Sequence, residues 1–241
     1  MIIDGKKIAE NIITGLKKNK PINRGITAIL TREDMVSESF LLEKRKIAEQ
    51  LDIKFELIKF SDFSGEKEII LKIEELNNDE NCGGIILQLP VSEKINKDNL
   101  IAKIDKRKDI DCLCGGDLVL PPAVEDLKSI LNFYQLNFEN KKVSIVGLGF
   151  LVGGPISRFL IKEIGENNVF LFDKDNFSKE KIIESDLIIS GTGSPKLISG
   201  EVIKRGAVLI DFGYSYPEGK LSGDFDFDSC ELKSSYITPT P

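Results

Sequence analysis

The sequence predicts an α/β protein with two domains, the second of them built on a doubly wound parallel sheet. Short apolar runs alternate with helical periodicities along the chain, which is the pattern of parallel strands joined by crossover helices. One apolar run, residues 142–146, leads through a glycine-rich turn directly into a helical pattern. The chain has 241 residues, of which 41% are hydrophobic, so it can bury two separate cores.

The first half of the chain contains the patterns of three strands and four helices. The first helix begins at Asp4 or Gly5, because apolar residues recur at helical spacing from Ile8 to Leu16. The third strand is a continuous apolar run with Gln88 near its C-terminal end, where open α/β sheets bind ligands. The strands are predicted at residues 26–30, 53–60 and 83–90, and the later helices at residues 37–51, 66–76 and 96–104.

The second half begins with Pro121 and Pro122, which favour the start of a helix because proline fits the first helical position. This amphipathic helix is expected over residues 121–136 and to bridge two domains, one of residues 1–120 and one of residues 137–241. Beyond it, the predicted strands are residues 142–146, 169–172, 186–190 and 207–211, with helices after the glycine turn and at residues 179–184.

The glycine turn indicates a dinucleotide site. Gly147 and Gly149 permit positive φ angles and let a pyrophosphate approach the backbone N–H groups at the start of the next helix. Gly153 or Gly154 lets that helix pack closely on its strand, and Asp173, after the following strand, can accept hydrogen bonds from a ribose. Because the spacing is G-x-G-x-x-x-G rather than the commoner G-x-G-x-x-G, a turn in which glycine serves only tight packing is the alternative.

Composition and charge exclude several classes of function. The net charge is −6 and no basic block stands out, because the lysine-rich residues 17–20 are interpreted as a solvated helix end. This argues against a nucleic-acid partner. No apolar run reaches the roughly 18 residues of a membrane span, and the N-terminus lacks the apolar core of a signal peptide. We therefore expect no membrane association and a cytoplasmic location.

The chain contains no histidine, which excludes Ser-His-Asp and Cys-His nucleophile pairs and the commonest zinc sites. We therefore expect no metal, and proton transfer must fall to Lys, Asp, Glu, Tyr or Cys. Of the four cysteines, only Cys112 and Cys114 are close in sequence. All four are expected to be reduced, because side chains one residue apart on an extended segment point to opposite faces.

The helix predicted to begin at Ser37 places three side chains on one face. Ser37, Phe40 and Lys44 stand at positions i, i+3 and i+7. Taken alone, Lys44 would be interpreted as a solvated lysine on a helix surface.

Eight short stretches occur in a fixed order and cover nearly the whole chain. They are residues 2–6, 37–46, 84–90, 108–111, 152–155, 206–213, 223–227 and 237–241. Together they resemble the methylenetetrahydrofolate dehydrogenase/methenyltetrahydrofolate cyclohydrolase family, although no single stretch is decisive. The resemblance implies an active cleft between the two domains, with folate against the first and a nicotinamide dinucleotide on the second, Rossmann-type domain. It also implies a homodimer formed through the second domain.

The resemblance implies roles for five residues of the first domain. Lys44 matches the family's catalytic lysine, Gln88 the glutamine that hydrogen-bonds it, and Asp111 the aspartate that holds the pterin ring. Ser37 matches a serine near that lysine, and Phe40 takes the place of a tyrosine, so both are expected to bind substrate. Without the resemblance, Gln88 would be interpreted as a polar strand end and Asp111 as a loop carboxylate. The residues expected to bind the cofactor are Gly147, Leu148, Gly149, Gly153, Asp173, Gly193 and Tyr214.

The sequence departs from the family at several positions. Phe40 keeps a ring that can stack on folate but lacks the phenolic hydroxyl, and Leu148 stands where the family commonly has arginine. Residues 121–124 replace a Pro-Cys-Thr-Pro segment. The family also continues beyond its final Thr-Pro-x-Pro, whereas this sequence stops at Pro241, so the chain is either short or truncated.

The predicted function is that of a bifunctional folate enzyme. It would oxidise 5,10-methylenetetrahydrofolate with NAD or NADP, a step that asks the protein mainly for orientation. It would then hydrolyse the methenyl product to 10-formyltetrahydrofolate, with Lys44, held partly neutral by burial, as general base or relay. The alternatives are a catalytically lapsed relative that binds folate or nucleotide, and a Rossmann dehydrogenase of another substrate.

The sequence favours NAD over NADP as the cofactor. Leu148 provides no charge for a 2′-phosphate, and Asp173 would accept a hydrogen bond from the ribose 2′-hydroxyl and repel a phosphate. Lys174 follows immediately and could offset that repulsion if its side chain turned inward.

Overall fold

The computed structural model describes residues 1–19, 23–61, 63–115, 118–173, 175 and 178–240. Strand pairs are parallel in both of its sheets, and helices connect successive strands, so the predicted α/β class is confirmed. Within the described ranges, no helix is both long enough and apolar enough to cross a membrane. All four cysteines lie in these ranges and are free thiols.

Residue contacts divide the chain into two units. The first unit is Glu10–Pro122, and the second unit combines Met1–Ala9 with Ala123–Pro241. This differs from the expected boundary, which puts residues 1–9 in the first domain. The reason is that Ile3 is buried in the core of the second unit and its N–H donates to the carbonyl of Ile237 over 2.8 Å.

The first unit contains a three-stranded parallel sheet in the order β2-β1-β3. Successive side chains of a strand point to opposite faces, so each apolar strand can serve two cores. On one face Ile29 and Leu87 pack with Ile73 of helix α3, and on the other Leu30 packs with Leu41 of helix α2. The strands are β1 (Gly25–Leu30), β2 (Phe55–Lys59) and β3 (Cys82–Leu87), and the helices are α2 (Met35–Gln50), α3 (Glu66–Asn78) and α4 (Lys97–Ile101). Helix α1 (Gly5–Leu16) begins among the residues of the second unit and ends among those of the first.

The second unit contains a five-stranded parallel sheet in the order β5-β4-β6-β7-β8. Its strands are β4 (Val143–Val146), β5 (Val169–Phe172), β6 (Leu187–Ser190), β7 (Val208–Asp211) and β8 (Tyr236–Ile237). The chain adds β5 on one side of β4 and the later strands on the other side. The order of the strands therefore reverses between β4 and β6, the place where doubly wound sheets bind their ligands.

Helices cover both faces of this second sheet, which confirms the doubly wound arrangement. Val124 and Leu127 of α5 share one core with Ile156 of α6, whereas Ile182 of α7 and Cys230 of α8 belong to the core on the other face. The helix that was expected to bridge two domains thus contributes its buried side to the second unit. The helices are α5 (Pro122–Phe133), α6 (Gly153–Ile164), α7 (Lys179–Glu184) and α8 (Phe227–Glu231).

Helices α4, α5 and α8 and strand β8 differ from the sequence prediction. Helix α5 ends at Phe133 rather than near residue 136, because Gln135 adopts a positive φ of 54° and stops the helix. Helix α4 ends at Ile101 rather than at residue 104. Helix α8 and strand β8 were not predicted, since five and two residues are too few to show a periodicity.

Candidate functional site

Helix α2 begins at an aspartate cap rather than at the predicted serine. Asp34 Oδ1 accepts the N–H groups of Val36 and Ser37, and its Oδ2 accepts the Ser37 hydroxyl over 2.7 Å. The backbone and hydroxyl bonds from Ser37 hold the pKa of Asp34 below its usual range. Ser37 is only 1% exposed, so it orders the start of α2 and its hydroxyl is already committed to Asp34.

Two residues with predicted catalytic roles meet in the first unit. Lys44, in the middle of α2, donates from Nζ to Oδ2 of Asp111 over 3.0 Å. The side chain of Lys44 is 36% exposed and that of Asp111 is 20% exposed. The lysine is therefore not buried as expected, and its partner is a carboxylate at the edge of the solvent.

Asp111 belongs to a segment that is tied to β3. Ile85 donates its N–H to the carbonyl of Lys108 over 2.6 Å, and the buried Asp109 accepts the N–H of Cys114 over 2.6 Å. Burial, and then the hydrogen bond and charge of Asp109, raise the pKa of the Cys114 thiol to about 12. Cys114 therefore stays a neutral thiol and is no nucleophile, and the tied segment holds Asp111 in place.

Gln88 follows β3 and is almost completely buried. Its Nε2 donates to the carbonyl of Leu89 over 2.9 Å, whereas its Oε1 has no hydrogen-bond partner in the part of the chain that the structure describes. The expected hydrogen bond from Lys44 to Gln88 is thus not formed, and the lysine donates to Asp111. A buried acceptor without a donor costs about 1–3 kcal/mol, which makes Oε1 a position where a ligand or a displaced lysine gains a bond.

Phe40 lies one helical turn before Lys44 on α2. Positions i and i+4 share a face of a helix, and the Phe40 ring is 46% exposed on it. The Phe40 side chain therefore lies on the face of α2 that carries Lys44, and its role in binding substrate stays a prediction.

The turn between β4 and α6 has the geometry of a phosphate-binding turn. Gly147 has φ +89°, and a Cβ on it would lie 2.8 Å from the carbonyl oxygen of Gly191. A Cβ on Gly153 would lie 1.8 Å from the carbonyl oxygen of Gly147, so no other residue fits there. Beside Gly149, in contrast, a Cβ would meet no atom within 4 Å. The turn is thus tightly packed at Gly147 and Gly153 and open at Gly149. Because it leads into the N-terminus of a 12-residue helix, the open side fits a pyrophosphate.

The other predicted cofactor residues follow the carboxyl ends of neighbouring strands. Leu148 and Asp173 are exposed after β4 and β5, respectively. Gly193 after β6 has φ +65°, and a Cβ on it would lie 3.4 Å from the carbonyl oxygen of Tyr214, which follows β7. The structure therefore brings these residues to one edge of the sheet. Lys174 lies outside the described residues.

Three charged residues of the second unit were missed by sequence reasoning. Arg158 Nη1 lies 3.5 Å from the position of a Cβ on Gly154, which places a cation beside the glycine turn. Its signal was the i, i+4 spacing from Gly154 in the helix that follows the turn.

The other two residues are Asp211, the last residue of β7, and Asp224, in the segment before α8. Burial, together with the charge of Asp224, raises the pKa of Asp211 to about 7. Asp224 belongs to one of the eight stretches, but nothing local indicates its partners.

Comparison with known proteins covers both halves of the chain. Residues 3–111 match the family model of the tetrahydrofolate dehydrogenase/cyclohydrolase catalytic domain, and residues 121–241 match the model of its NAD(P)-binding domain. The protein called bifunctional protein FolD from Mesoplasma florum is 34% identical over 260 residues. That alignment covers 100% of this chain and 90% of the relative.

Two solved structures are similar to the whole chain. The bifunctional enzyme FolD, a methylenetetrahydrofolate dehydrogenase/cyclohydrolase from Campylobacter jejuni, superimposes with a TM-score of 0.93 at 28% identity. The match covers 100% of this chain and 91% of that one. The methylenetetrahydrofolate dehydrogenase-cyclohydrolase of Trypanosoma brucei, solved with NADP and an inhibitor, gives a TM-score of 0.92 at 25% identity and covers 100% and 90%.

Proposed function

Because the chain belongs to the tetrahydrofolate dehydrogenase/cyclohydrolase family, we propose that Lys44 and Asp111 form its catalytic centre and that the turn after β4 binds its dinucleotide. The protein is a bifunctional enzyme. It oxidises 5,10-methylenetetrahydrofolate with a nicotinamide dinucleotide, and it hydrolyses the resulting methenyl compound to 10-formyltetrahydrofolate. A lapsed relative and a dehydrogenase of another substrate are not favoured, because both family models match in order.

The observation that supports the proposed centre is the 3.0 Å contact between Lys44 Nζ and Asp111 Oδ2. The pair joins the middle of α2 to the segment after α4, and both side chains are partly open to solvent. Asp111 binds the lysine through Oδ2, so Oδ1 can accept an N–H group of a pterin ring. A single carboxylate would thereby fix both the substrate and the amine that acts on it.

For the oxidation, the chain supplies orientation. A nicotinamide dinucleotide held at the turn after β4 would supply the acceptor for the hydride on the carbon between N5 and N10 of the folate. No acid or base is needed for this step, so the contribution of Phe40 is stacking on the folate and that of Asp111 is a hydrogen bond.

For the hydrolysis, the Lys44–Asp111 pair moves protons. Water forms a bond to the methenyl carbon and loses a proton to Lys44, which passes a proton of its own to Asp111 through their 3.0 Å bond; Asp111 then releases it to solvent. As the bond between that carbon and N5 breaks, the hydroxyl proton of the adduct passes to N5, and one proton is released overall. Gln88 Oε1, which has no partner among the described groups, then offers a hydrogen bond to the lysine or to the substrate.

The dinucleotide preference is proposed to be for NAD. Binding of the 2′-phosphate of NADP normally requires a cationic side chain. The exposed residues that follow β4 and β5 are instead apolar Leu148 and acidic Asp173, and the latter repels a phosphate. Arg158, beside the turn, is proposed to bind the pyrophosphate, which NAD and NADP share.

We also propose that the protein is a homodimer in the cytoplasm. The dimer rests on the family, and the location is supported by four free thiols, which a reducing compartment maintains. Light scattering during size-exclusion chromatography measures the mass of the particle and would contradict the dimer if it gave 26.9 kDa.

Separate assays test the proposed function. Oxidation of methylenetetrahydrofolate is followed by the absorbance of the reduced dinucleotide, and hydrolysis of methenyltetrahydrofolate is followed by the loss of its own absorbance. We expect both reactions, and we expect Asp111→Asn to impair both, because the residue serves substrate binding and proton transfer. A folded Asp111→Asn protein with both wild-type rates would contradict the proposed centre.

A further inference from the structure

Asp224 binds the last residue of β6 and the loop that follows it, at the carboxyl edge of the second sheet. Its carboxylate is fully buried and accepts three hydrogen bonds. Oδ2 accepts the hydroxyl of Ser190 over 2.7 Å and the N–H of Thr192 over 2.6 Å, and Oδ1 accepts the N–H of Ser194 over 2.8 Å. Both oxygens therefore hold the backbone of residues 191–194, which we call the β6 loop.

The β6 loop forms one wall of the glycine turn. A Cβ on Gly147 would lie 2.8 Å from the carbonyl oxygen of Gly191 and 2.9 Å from Cγ2 of Thr192. The two loops are thus in contact at the place where the strand order reverses. Any shift of the β6 loop changes the surface beside the turn.

Asp224 is itself held by Asp211. Asp211 Oδ2 accepts the N–H groups of Asp224 and Phe225, and its Oδ1 accepts the N–H of Gly213. A Cβ on Gly213 would lie 2.2 Å from the carboxylate of Asp224, so the two segments meet without room for a side chain.

Neither carboxylate forms an ion pair with a lysine or arginine in the described ranges. Burial of a carboxylate without a cation is costly, and it is compensated here only by hydrogen bonds that fix loops. Carboxylates whose pKa values are perturbed by burial and by a neighbouring charge, as that of Asp211 is, cluster at functional sites.

The position of the β6 loop indicates which half of the cofactor it serves. In doubly wound sheets a dinucleotide binds with its pyrophosphate at the glycine turn and the ribose of its adenosine half at the end of the next strand. In this chain these positions are the turn after β4 and the end of β5, on one side of β4. The nicotinamide half of a dinucleotide bound in this way would extend to the other side of β4, towards β6 and β7. The β6 loop lies on that side.

We propose that Asp224 is a positioning residue of the dinucleotide site, which fixes the β6 loop against the glycine turn and so sets the placement of the nicotinamide half. The inference rests on the proposed dinucleotide site. It assigns to the Asp211–Asp224 pair a role in the oxidation that the hydrolysis, which uses no dinucleotide, does not share.

The substitution Asp224→Asn tests this inference with little change of shape. Both carboxylate oxygens accept a backbone N–H, so in either orientation the amide group of asparagine must face one N–H donor and lose that bond. We expect kcat/KM of the oxidation to fall by about tenfold to hundredfold, the range for a lost bond to a charged group. We also expect weaker dinucleotide binding in calorimetry, with the rate of methenyltetrahydrofolate hydrolysis retained as the measure of folding.

The matched control is Asp226→Asn, two residues further on, because the Asp226 carboxylate binds Ser229 and Lys196 rather than the β6 loop. It should leave both reactions and dinucleotide binding unchanged. Ser190→Ala removes only the hydroxyl bond to Asp224 and should weaken the oxidation in the same direction by a smaller factor. If the Asp224→Asn protein does not fold, the Ser190→Ala protein tests the positioning role of Asp224.

Two results would overturn the inference. One is a folded Asp224→Asn or Ser190→Ala protein with unchanged dinucleotide affinity and oxidation rate. The other is an equal fall of both reactions, which indicates a general structural role. If the wild-type protein itself lacked the oxidation, the proposed function would fail instead, and the two failures remain distinct.

Discussion

Lys44 Nζ lies 3.0 Å from Asp111 Oδ2, although the two residues are 67 positions apart in the chain. The contact joins a helix surface to a segment tied to β3, so the amine has a defined position beside the Phe40 ring. A lysine that is fixed in this way can act on one atom of a bound substrate. It also has a proton acceptor within hydrogen-bond distance.

Replacement of this lysine should separate the two reactions. We expect Lys44→Met to lower the rate of methenyltetrahydrofolate hydrolysis by about two to four orders of magnitude, because a general base is removed. The oxidation should be affected less, since it needs no proton transfer. Lys46→Met is the matched control, because Lys46 is exposed on the same helix and pairs with Glu43. Hydrolysis by the Lys44→Met protein at the wild-type rate would exclude the assigned role.

Restoring a phenolic hydroxyl at position 40 tests the departure from the family. Phe40 is exposed on the face of α2 that carries Lys44, so Phe40→Tyr adds a hydroxyl without displacing a packed side chain. If the missing hydroxyl limits the hydrolysis, its kcat should rise, while the Kd of the dinucleotide stays constant. Phe63→Tyr, at an exposed phenylalanine of the same unit, should change neither quantity. An unchanged kcat in folded Phe40→Tyr protein means that the site works without the hydroxyl.

Cofactor choice is tested at the end of β5. We expect a higher kcat/KM with NAD than with NADP at a fixed folate concentration, and we expect Asp173→Ser to narrow the difference by relieving the repulsion of the 2′-phosphate. Asp175→Ser, a nearby exposed carboxylate, serves as the control. A clear preference of the wild-type enzyme for NADP would refute the proposal.

The glycine turn predicts opposite results for two alanine substitutions. Gly153→Ala should lower the free energy of unfolding by about 1–3 kcal/mol or prevent folding, because its Cβ would lie 1.8 Å from the carbonyl oxygen of Gly147. Gly149→Ala should change stability by less than about 0.5 kcal/mol, since its Cβ meets no atom within 4 Å. Gly149→Ala should instead raise the Kd of the dinucleotide, because its methyl group would occupy the open side of the turn, where the pyrophosphate is proposed to bind. Urea unfolding and calorimetry measure both effects, and equal stability losses would contradict the packing difference.

The buried Asp211 predicts a pH dependence of stability. Its pKa is raised from 3.8 to about 7, so between these values the folded state holds a proton that the unfolded chain has released. Proton binding by Asp211 therefore stabilises the folded state. This stabilisation is fully present below 3.8, the pKa of the group in the unfolded chain, and is lost as the pH rises through about 7. The slope is at most about 1.4 kcal/mol per pH unit.

Urea unfolding of wild-type and Asp211→Asn proteins between pH 5 and pH 8 isolates this contribution. The asparagine does not titrate, so the stability that it loses with its hydrogen bonds does not depend on pH. The unfolding free energy of the wild type should therefore fall relative to that of the variant as the pH rises. A difference that is independent of pH would show that Asp211 keeps an ordinary pKa.

The sequence alone predicts the helices and strands that are long enough to show a period. Strands such as β3 and helices such as α2 emerge because burial on a sheet imposes local apolar patterns. The glycine turn is predicted for the same reason, since φ and close approach are properties of a few consecutive residues. The candidate residues Lys44, Gln88 and Asp111 come from resemblance, which gives residue types and order but not contacts.

Only the tertiary structure decides which of these residues touch. Lys44 pairs with Asp111 and not with Gln88, because a long side chain takes the partner that the folded segments bring near. The bonds from Asp224 to the β6 loop span 30 and 32 positions, and the burial of Ile3 depends on a strand at the other end of the chain. Local periodicity contains no signal for such pairs, since their energy arises only when distant segments have already packed.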